Sequence, residues 1–451
     1  MITALVLVLY LSTAAAALES EPFAFTNVTV VDVTDGSLRP EMSVLVRGDR
    51  IVLATQHAEL AEGTRVVDAT GKYLIPGLWD MHVHWYAKKY LPLFVANGVT
   101  GVRQMFGHPD HLKWRKEFRE GRLDGPRLVV ASRIVDGPKP IWPGSIAVKD
   151  AEQGRAAVHT AIREGADFVK VYSLLSREAY FAITAEAAKN GLPFAGHVPV
   201  SVTAGEASDA GQQTIEHLTG VLLASSSEET KIRRAWGSDG RSWLERNNRL
   251  VETYDADKAR ALFSRFAKNG TWQCPTLTVL RNIAMIPDRA ILDDPNLKYM
   301  PPQVRAMWDP DRVLRWIDRQ GYEKAVEIVG EMRNSGVRFL AGTDVLNPYC
   351  FPGFSLHGEL QLLVRAGLTP LEALQAATLN PAEFLEMRDE LGTVAEGKLA
   401  DLVLLDGNPL ENIGNTVRIA AVVMNGRLFR RGELDAMLAD VEQQASPKVQ
   451  P

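Results

Sequence analysis

Between residues 73 and 385, short apolar runs of strand-like composition alternate with amphipathic helical stretches, and this alternation restricts the fold more than any other feature. The runs fall at 74–84, 99–105, 127–135, 168–172, 194–198, 214–218, 272–279 and 338–344. Strands paired in parallel need a long crossover between them, and the helical stretches supply one. Eight such units suit an α/β fold closed as a (β/α)8 TIM barrel, whose reactive side chains gather at the C-terminal strand ends. A doubly wound open sheet would need a glycine-rich phosphate turn after an early strand, and the sequence has none.

The flanks have another texture. Residues 22–72 alternate apolar and polar in bursts, with turns at Asp35-Gly36 and Gly48-Asp49, and the texture returns over 386–432, where Asn425-Gly426 is a hairpin signal. The expectation is a small β-sandwich built from both termini around the barrel of residues 73–385, with 433–451 as a C-terminal tail. The connections at 136–147, 220–270 and 281–311 are candidates to shape the site, and 220–270 reads as helical.

The chain has 451 residues and a net charge of -5 with mixed signs, so no basic surface for nucleic acid is expected. A small molecule or short peptide is the expected partner, with a homo-oligomer left open. Residues 1–11 are apolar and are followed by alanines 14–17, the pattern of a cleaved export signal, giving residues 1–17 as signal and an exported mature protein with no membrane attachment. The first residues lack Lys and Arg, so an N-terminal membrane anchor is the alternative. Cys274 and Cys350 are the two cysteines, and spacing leaves open whether they pair or stay as separate buried thiols.

Ligand-capable residues recur at the strand ends. Side chains two apart on a strand share a face, so His82 and His84 point the same way. Lys170, His197, His217 and Asp344 follow at the ends of the fourth, fifth, sixth and eighth runs. Singly, each is unremarkable; six at one barrel mouth would form a metal site. Tyr172 should share the face of Lys170 nearer the mouth, as substrate contact or rim packing. Arg103 has the planar fork that suits a substrate carboxylate, with a structural salt bridge as the preferred reading. His108 and His111 read as a solvated turn, His357 and Glu359 as capping and supporting hydrogen-bond groups, and Asp80 as structural.

With these pieces the sequence resembles the amidohydrolase superfamily. The matching segments are Pro76-Gly-Leu-Trp-Asp-Met-His-Val-His84, Lys170, Gly196-His197, Glu216-His217, Ala341-Gly-Thr-Asp344, the helix-like run 366–381 and the stretch 392–403. The similarity spans nearly the whole chain after residue 17 and is nearest to the imidazolonepropionase-related branch that includes prolidase-like and carboxypeptidase-like dipeptidases.

The resemblance implies a hydrolase of carbon–nitrogen bonds with two divalent metal ions. It assigns His82, His84 and Asp344 to the more buried metal and His197 and His217 to the more exposed one. Lys170, carboxylated by carbon dioxide to a carbamate, would bridge them. Zinc suits an imidazole-rich set, with manganese, cobalt and iron left open. Asp344 would take a proton from the activated water and pass it to the leaving amine, and His217 or Tyr172 would help hold the oxyanion. A dipeptide or an N-acyl amino acid is the implied substrate. Two alternatives stand beside this reading: a mononuclear deaminase or imidazolonepropionase-like cyclic amide hydrolase, and a non-catalytic scaffold of the same fold.

Overall fold

The barrel closes through a ring of parallel pairings. In the computed structural model, which describes residues 21–288 and 290–446, Leu78–Val83 pairs with Val99–Gln104, and that strand with Arg127–Val130. Ala131 bridges to Phe168, entering the run that contains Val169–Val171. Phe194–Gly196, Thr214–Glu216 and Trp272–Cys274 follow in order. The eighth segment, residues 338–344, completes the ring. The Leu340 amide donates to Gln273 O at 2.9 Å on one side, and the Met81 amide to Ala341 O and the Asp344 amide to His82 O, both at 2.8 Å, on the other. The (β/α)8 barrel expected from the alternation is therefore the observed fold.

Most of the barrel strands are shorter than their apolar runs, and at two of them the chain changes its structure within the run. The run 74–84 is two strands: Tyr73–Pro76 pairs antiparallel with Leu402–Leu405 in the terminal sheet, and Leu78–Val83 opens the barrel. The break falls at Pro76-Gly77. Pro76 has no amide to donate, and a Cβ on Gly77 would sit 2.0 Å from Thr100 Oγ1, so glycine alone lets the chain cross between the two sheets. The run 272–279 stops being a strand at Cys274. Thr276 takes a left-handed conformation (φ 50°), and the helix Leu277–Met285 begins, its first amides capped by Glu359.

Both termini contribute to one sheet, in the order Arg427–Arg430, Ile419–Met424, Leu402–Leu405, Tyr73–Pro76, Phe23–Val31, Leu38–Arg47, Arg50–Gln56, with Arg65–Asp68 pairing alongside Phe23–Val31. Asn425 and Gly426 both have positive φ (50° and 73°) in the two-residue turn that joins Ile419–Met424 to Arg427–Arg430, as their composition predicts. Phe25, Val44, Leu74 and Leu402 meet in its apolar core. The connection 220–270 is helical as expected, with helices Val221–Ala224, Glu229–Ala235, Trp243–Glu252 and Ala256–Asn269.

The stretch read as a tail is mostly helix. Arg431–Ala445 is α-helical and packs against Leu91–Ala96, burying Leu434 and Val441. The segment read as an export signal lies outside the described residues. Among the described residues, no helix is long and apolar enough to cross a membrane, and Cys274 and Cys350 are free, buried thiols.

Candidate metal centre at the barrel mouth

Three nitrogen and oxygen atoms converge at the end of the first strand. His82 Nε2 and His84 Nε2 are 3.2 Å apart, and Asp344 Oδ1 lies 3.3 Å from the first and 3.1 Å from the second. Ligands about 2.1 Å from a tetrahedral ion stand about 3.4 Å from one another, so the triangle has nearly the edge a divalent transition metal requires.

The hydrogen bonds decide what these atoms are. Glu216 accepts at Oε1 from Arg103 Nη2 at 2.8 Å, and its Oε2 is 2.7 Å from His82 Nδ1. An ionised carboxylate only accepts, so His82 Nδ1 carries the proton and Nε2 presents a bare lone pair. The same logic applies to His217. Its Nδ1 is 2.6 Å from Thr276 Oγ1, and that hydroxyl donates its hydrogen to Pro275 O at 2.8 Å. The imidazole must therefore donate from Nδ1, leaving Nε2, which is 3.9 Å from Asp344 Oδ2, free to ligate. His197 Nδ1 is 2.8 Å from Ser173 Oγ, and its ring centroid is 5.0 Å from that of His217. Each of these three histidines thus has its δ nitrogen engaged, the arrangement that orients metal-binding imidazoles.

Lys170 is the anomaly of the site. It is wholly buried, and its Nζ has no hydrogen-bond partner. Burial brings its ammonium down to about 8, against the opposing pull of Glu216 and Asp344. Burial, together with the charge of Lys170, holds His82 and His197 well below the usual histidine range, and burial brings His217 to about 4. Burial alone would raise Asp344, but His217 and His84 outweigh it and leave the carboxyl below its ordinary value. Neutral imidazoles, an ionised carboxylate and an amine that readily loses its proton form a donor set for cations.

Backbone conformation turns two of these side chains into place. His217 and Asp344 both have left-handed φ, 55° and 60°. Glu216 points into the barrel, so strict alternation would turn His217 outward; the left-handed turn brings it back to the mouth. Non-glycine residues held there cost about 1–3 kcal/mol each, a strain that clusters at functional sites. A Cβ on Gly342 would lie 2.5 Å from Cys274 Sγ and 2.8 Å from His82 Cβ, so the eighth segment approaches the first only because that residue is glycine.

The remaining candidates separate cleanly. Tyr172 is at the mouth, its ring stacked on His197 at 3.9 Å and its hydroxyl accepting from Trp142 Nε1 at 2.7 Å. Arg103 is not a substrate residue: it is buried beneath the site, donating to Glu216, to Met81 O at 2.7 Å and to Thr214 Oγ1 at 3.1 Å. Its fork serves the salt bridge because the second strand turns it into the barrel. Asp80 is structural, accepting from the Thr343 amide at 3.0 Å and its hydroxyl at 2.6 Å. His111 is not in a solvated turn; it is buried, with Nδ1 accepting from the His108 amide at 3.1 Å and Nε2 donating to Trp85 O at 2.8 Å. His108 is half-buried and caps the helix Pro109–Arg119, in which His111 lies. His357 faces Thr416, away from the mouth.

Glu216 supports the site without belonging to the expected ligand set. A charged residue inside an apolar strand, two positions from Thr214 and hence on the inward face, was the available signal. Glu216→Gln leaves the buried Arg103 without its counter-charge, and a loss of about 3–5 kcal/mol is expected. Urea denaturation checks this: an unchanged midpoint would remove the ion pair from the account, and the double variant Arg103→Met/Glu216→Met should recover most of the loss.

Fold and site together define a hydrolase barrel of the metal-binding kind. The family model for the amidohydrolase family matches residues 73–429, and the chain belongs to that family. The bottromycin amidohydrolase structure superposes with a TM-score of 0.76 at 25% identity, covering 95% of this chain and 91% of that one. A Xaa-Pro dipeptidase with bound methionine superposes with a TM-score of 0.67 at 19% identity, covering 91% and 100%, a likeness of fold. An adenine deaminase from Rubrobacter xylanophilus is 23% identical over 92% of this chain, which spans 58% of that protein's length. Ochratoxinase from Aspergillus niger is also 23% identical, over 79% of this chain and 75% of its own.

Proposed function

We propose that this protein hydrolyses an amide carbon–nitrogen bond of a small substrate, a dipeptide or an N-acyl amino acid, at a two-metal centre. The observation that supports it most is the buried, unpartnered Lys170 amine set among three histidines and Asp344. A lysine so placed makes no hydrogen bond that would explain its burial, and a deaminase-type mononuclear site has no use for it. Its neutral amine can add carbon dioxide and become a bidentate anion, which is what two adjacent cations need between them. His82, His84 and Asp344 would hold one ion, His197 and His217 the other. The ions, zinc being the one an imidazole-rich set suits, would supply an activated water and a polarised carbonyl.

The chain's own groups do the rest. Glu216 fixes His82 in the tautomer that ligates, and Thr276 does the same for His217. Asp344 Oδ2 lies 3.9 Å from His217 Nε2, and there it would take the proton of the attacking water and return it to the leaving amine. Tyr172, stacked on His197, bounds the space in which the substrate carbonyl must sit. Export of the mature chain through its apolar N-terminal segment is part of the same proposal and rests on the sequence of residues 1–17 alone.

The test is metal analysis of zinc-loaded protein beside a screen of dipeptides and N-acyl amino acids. About two metals per chain are expected, with hydrolysis lost on chelation and restored by zinc. Folded, metal-saturated protein that cleaves no amide would overturn the activity, and folded protein that takes up no metal would overturn the site.

A further inference from the structure

Four large apolar side chains that remain exposed gather around the site. Tyr86, Ile141, Trp142 and Leu174 are 47%, 45%, 47% and 38% exposed. Tyr86 lies two residues past His84, and Leu174 four past Lys170. Ile141 and Trp142 come from the 136–147 connection. Large apolar surface beside a polar centre is a place that a ligand covers.

This wall is held in place. Asp136 is fully buried and accepts from the Ile141 amide at 3.1 Å and the Leu174 amide at 2.7 Å, tying the loop to the end of the fourth strand. A Cβ on Gly137 would lie 2.2 Å from Leu174 O, so the loop can pass this close only with glycine there. Trp142 is oriented by its hydrogen bond to Tyr172, and Tyr172 by its stack on His197. Beside the loop, Phe106 and Tyr86 flank His108, with ring centroids 4.9 Å and 5.6 Å from it, and a Cβ on Gly144 of the loop would lie 3.7 Å from Phe106. The rings lead from the ligand His197 outward, and rings held in this way favour an aromatic guest in offset or edge-on contact.

We propose that this wall is a subsite for an aromatic side chain next to the scissile amide, so that N-acyl aromatic amino acids and aromatic dipeptides are the favoured substrates. The inference rests on the amide-hydrolase reading and narrows it. Trp142 and Tyr86 are then specificity-determining residues, and neither takes part in the bond cleavage.

The experiment pairs turnover with binding. Zinc-loaded wild-type protein is assayed on N-acetyl-L-phenylalanine and N-acetyl-L-alanine, and the same two probes are titrated calorimetrically into zinc-loaded Asp344→Asn. A preference for the phenylalanine probe of at least about tenfold is expected in kcat/KM and in Kd. Trp142→Ala and Tyr86→Ala should each shrink that ratio severalfold. Preferential binding without turnover would uphold the subsite and count against hydrolysis. Turnover of both probes at equal kcat/KM would uphold hydrolysis and overturn the subsite, as would an equal loss for both probes in both variants.

Discussion

Lys170→Met is expected to lose hydrolysis by about a thousandfold or more, equivalent to about 4 kcal/mol of transition-state stabilisation, while making the metal-free protein more stable. The two effects have one cause. The fold holds the Lys170 amine at about 8, below the 10.5 of a free lysine, because burial opposes its charge. A lowered lysine value means that the unfolded chain binds the proton more tightly than the folded one. The penalty is therefore full below pH 8, on the order of 3 kcal/mol, and fades as pH rises towards the unfolded value. Metal-free wild-type protein should gain stability between about pH 8 and 10.5, and Lys170→Met should lack that gain. Methionine keeps the length and removes the unpartnered charge, so the variant should melt higher at neutral pH. Metal content should fall from about two ions towards one. A variant that keeps its activity, or loses it with both ions still bound, would show that Lys170 bridges nothing. In Lys170→Ala, acetate or propionate can occupy the vacated space as a carboxylate, and partial recovery of activity is the expected sign of a carbamate role.

Asp344→Asn is expected to lower kcat by about 10²–10⁴-fold, the range of a proton-transfer group, with the fold intact. Asn has the same shape and tolerates the left-handed φ of 60° better than other side chains, so strain is not the reason for the loss. Asp344→Ala removes the carboxyl and also places a residue there that resists that backbone, so it should cost stability as well. Comparing the two by thermal melting and single-turnover rates separates chemistry from folding. Equal melting temperatures for the two variants would dismiss the backbone argument, and a kcat for Asp344→Asn within about twofold of wild type would dismiss the proton transfer.

Much of this site is legible in the primary structure. Strand periodicity places Asp80, His82 and His84 on one face and puts them at one end of the barrel. The repeated run-and-helix pattern implies eight parallel strands, and a barrel brings their ends together whatever the intervening helices are. The hairpin at Asn425-Gly426 follows from the two residues that accept positive φ most readily. Local chemistry determines all of these, and local chemistry is what a sequence displays.

Other features depend on contacts between segments far apart in the chain. Periodicity alone would turn His217 away from the mouth, and only the left-handed turn at His217 and Leu218 reverses it. Pro76-Gly77 divides one apolar run between two sheets because Thr100 and Asp401 press on it from elsewhere. The salt bridge expected of Arg103 has no partner in view until Glu216, 113 positions later, is seen to hold it under His82. Trp142 has no meaning in the sequence until Tyr172 and His197 are stacked behind it. The sequence by itself determined the barrel and the types of ligand it presents. Tertiary structure alone decided which way each side chain faces, because burial, backbone strain and ion pairing act between residues that lie far apart in the chain.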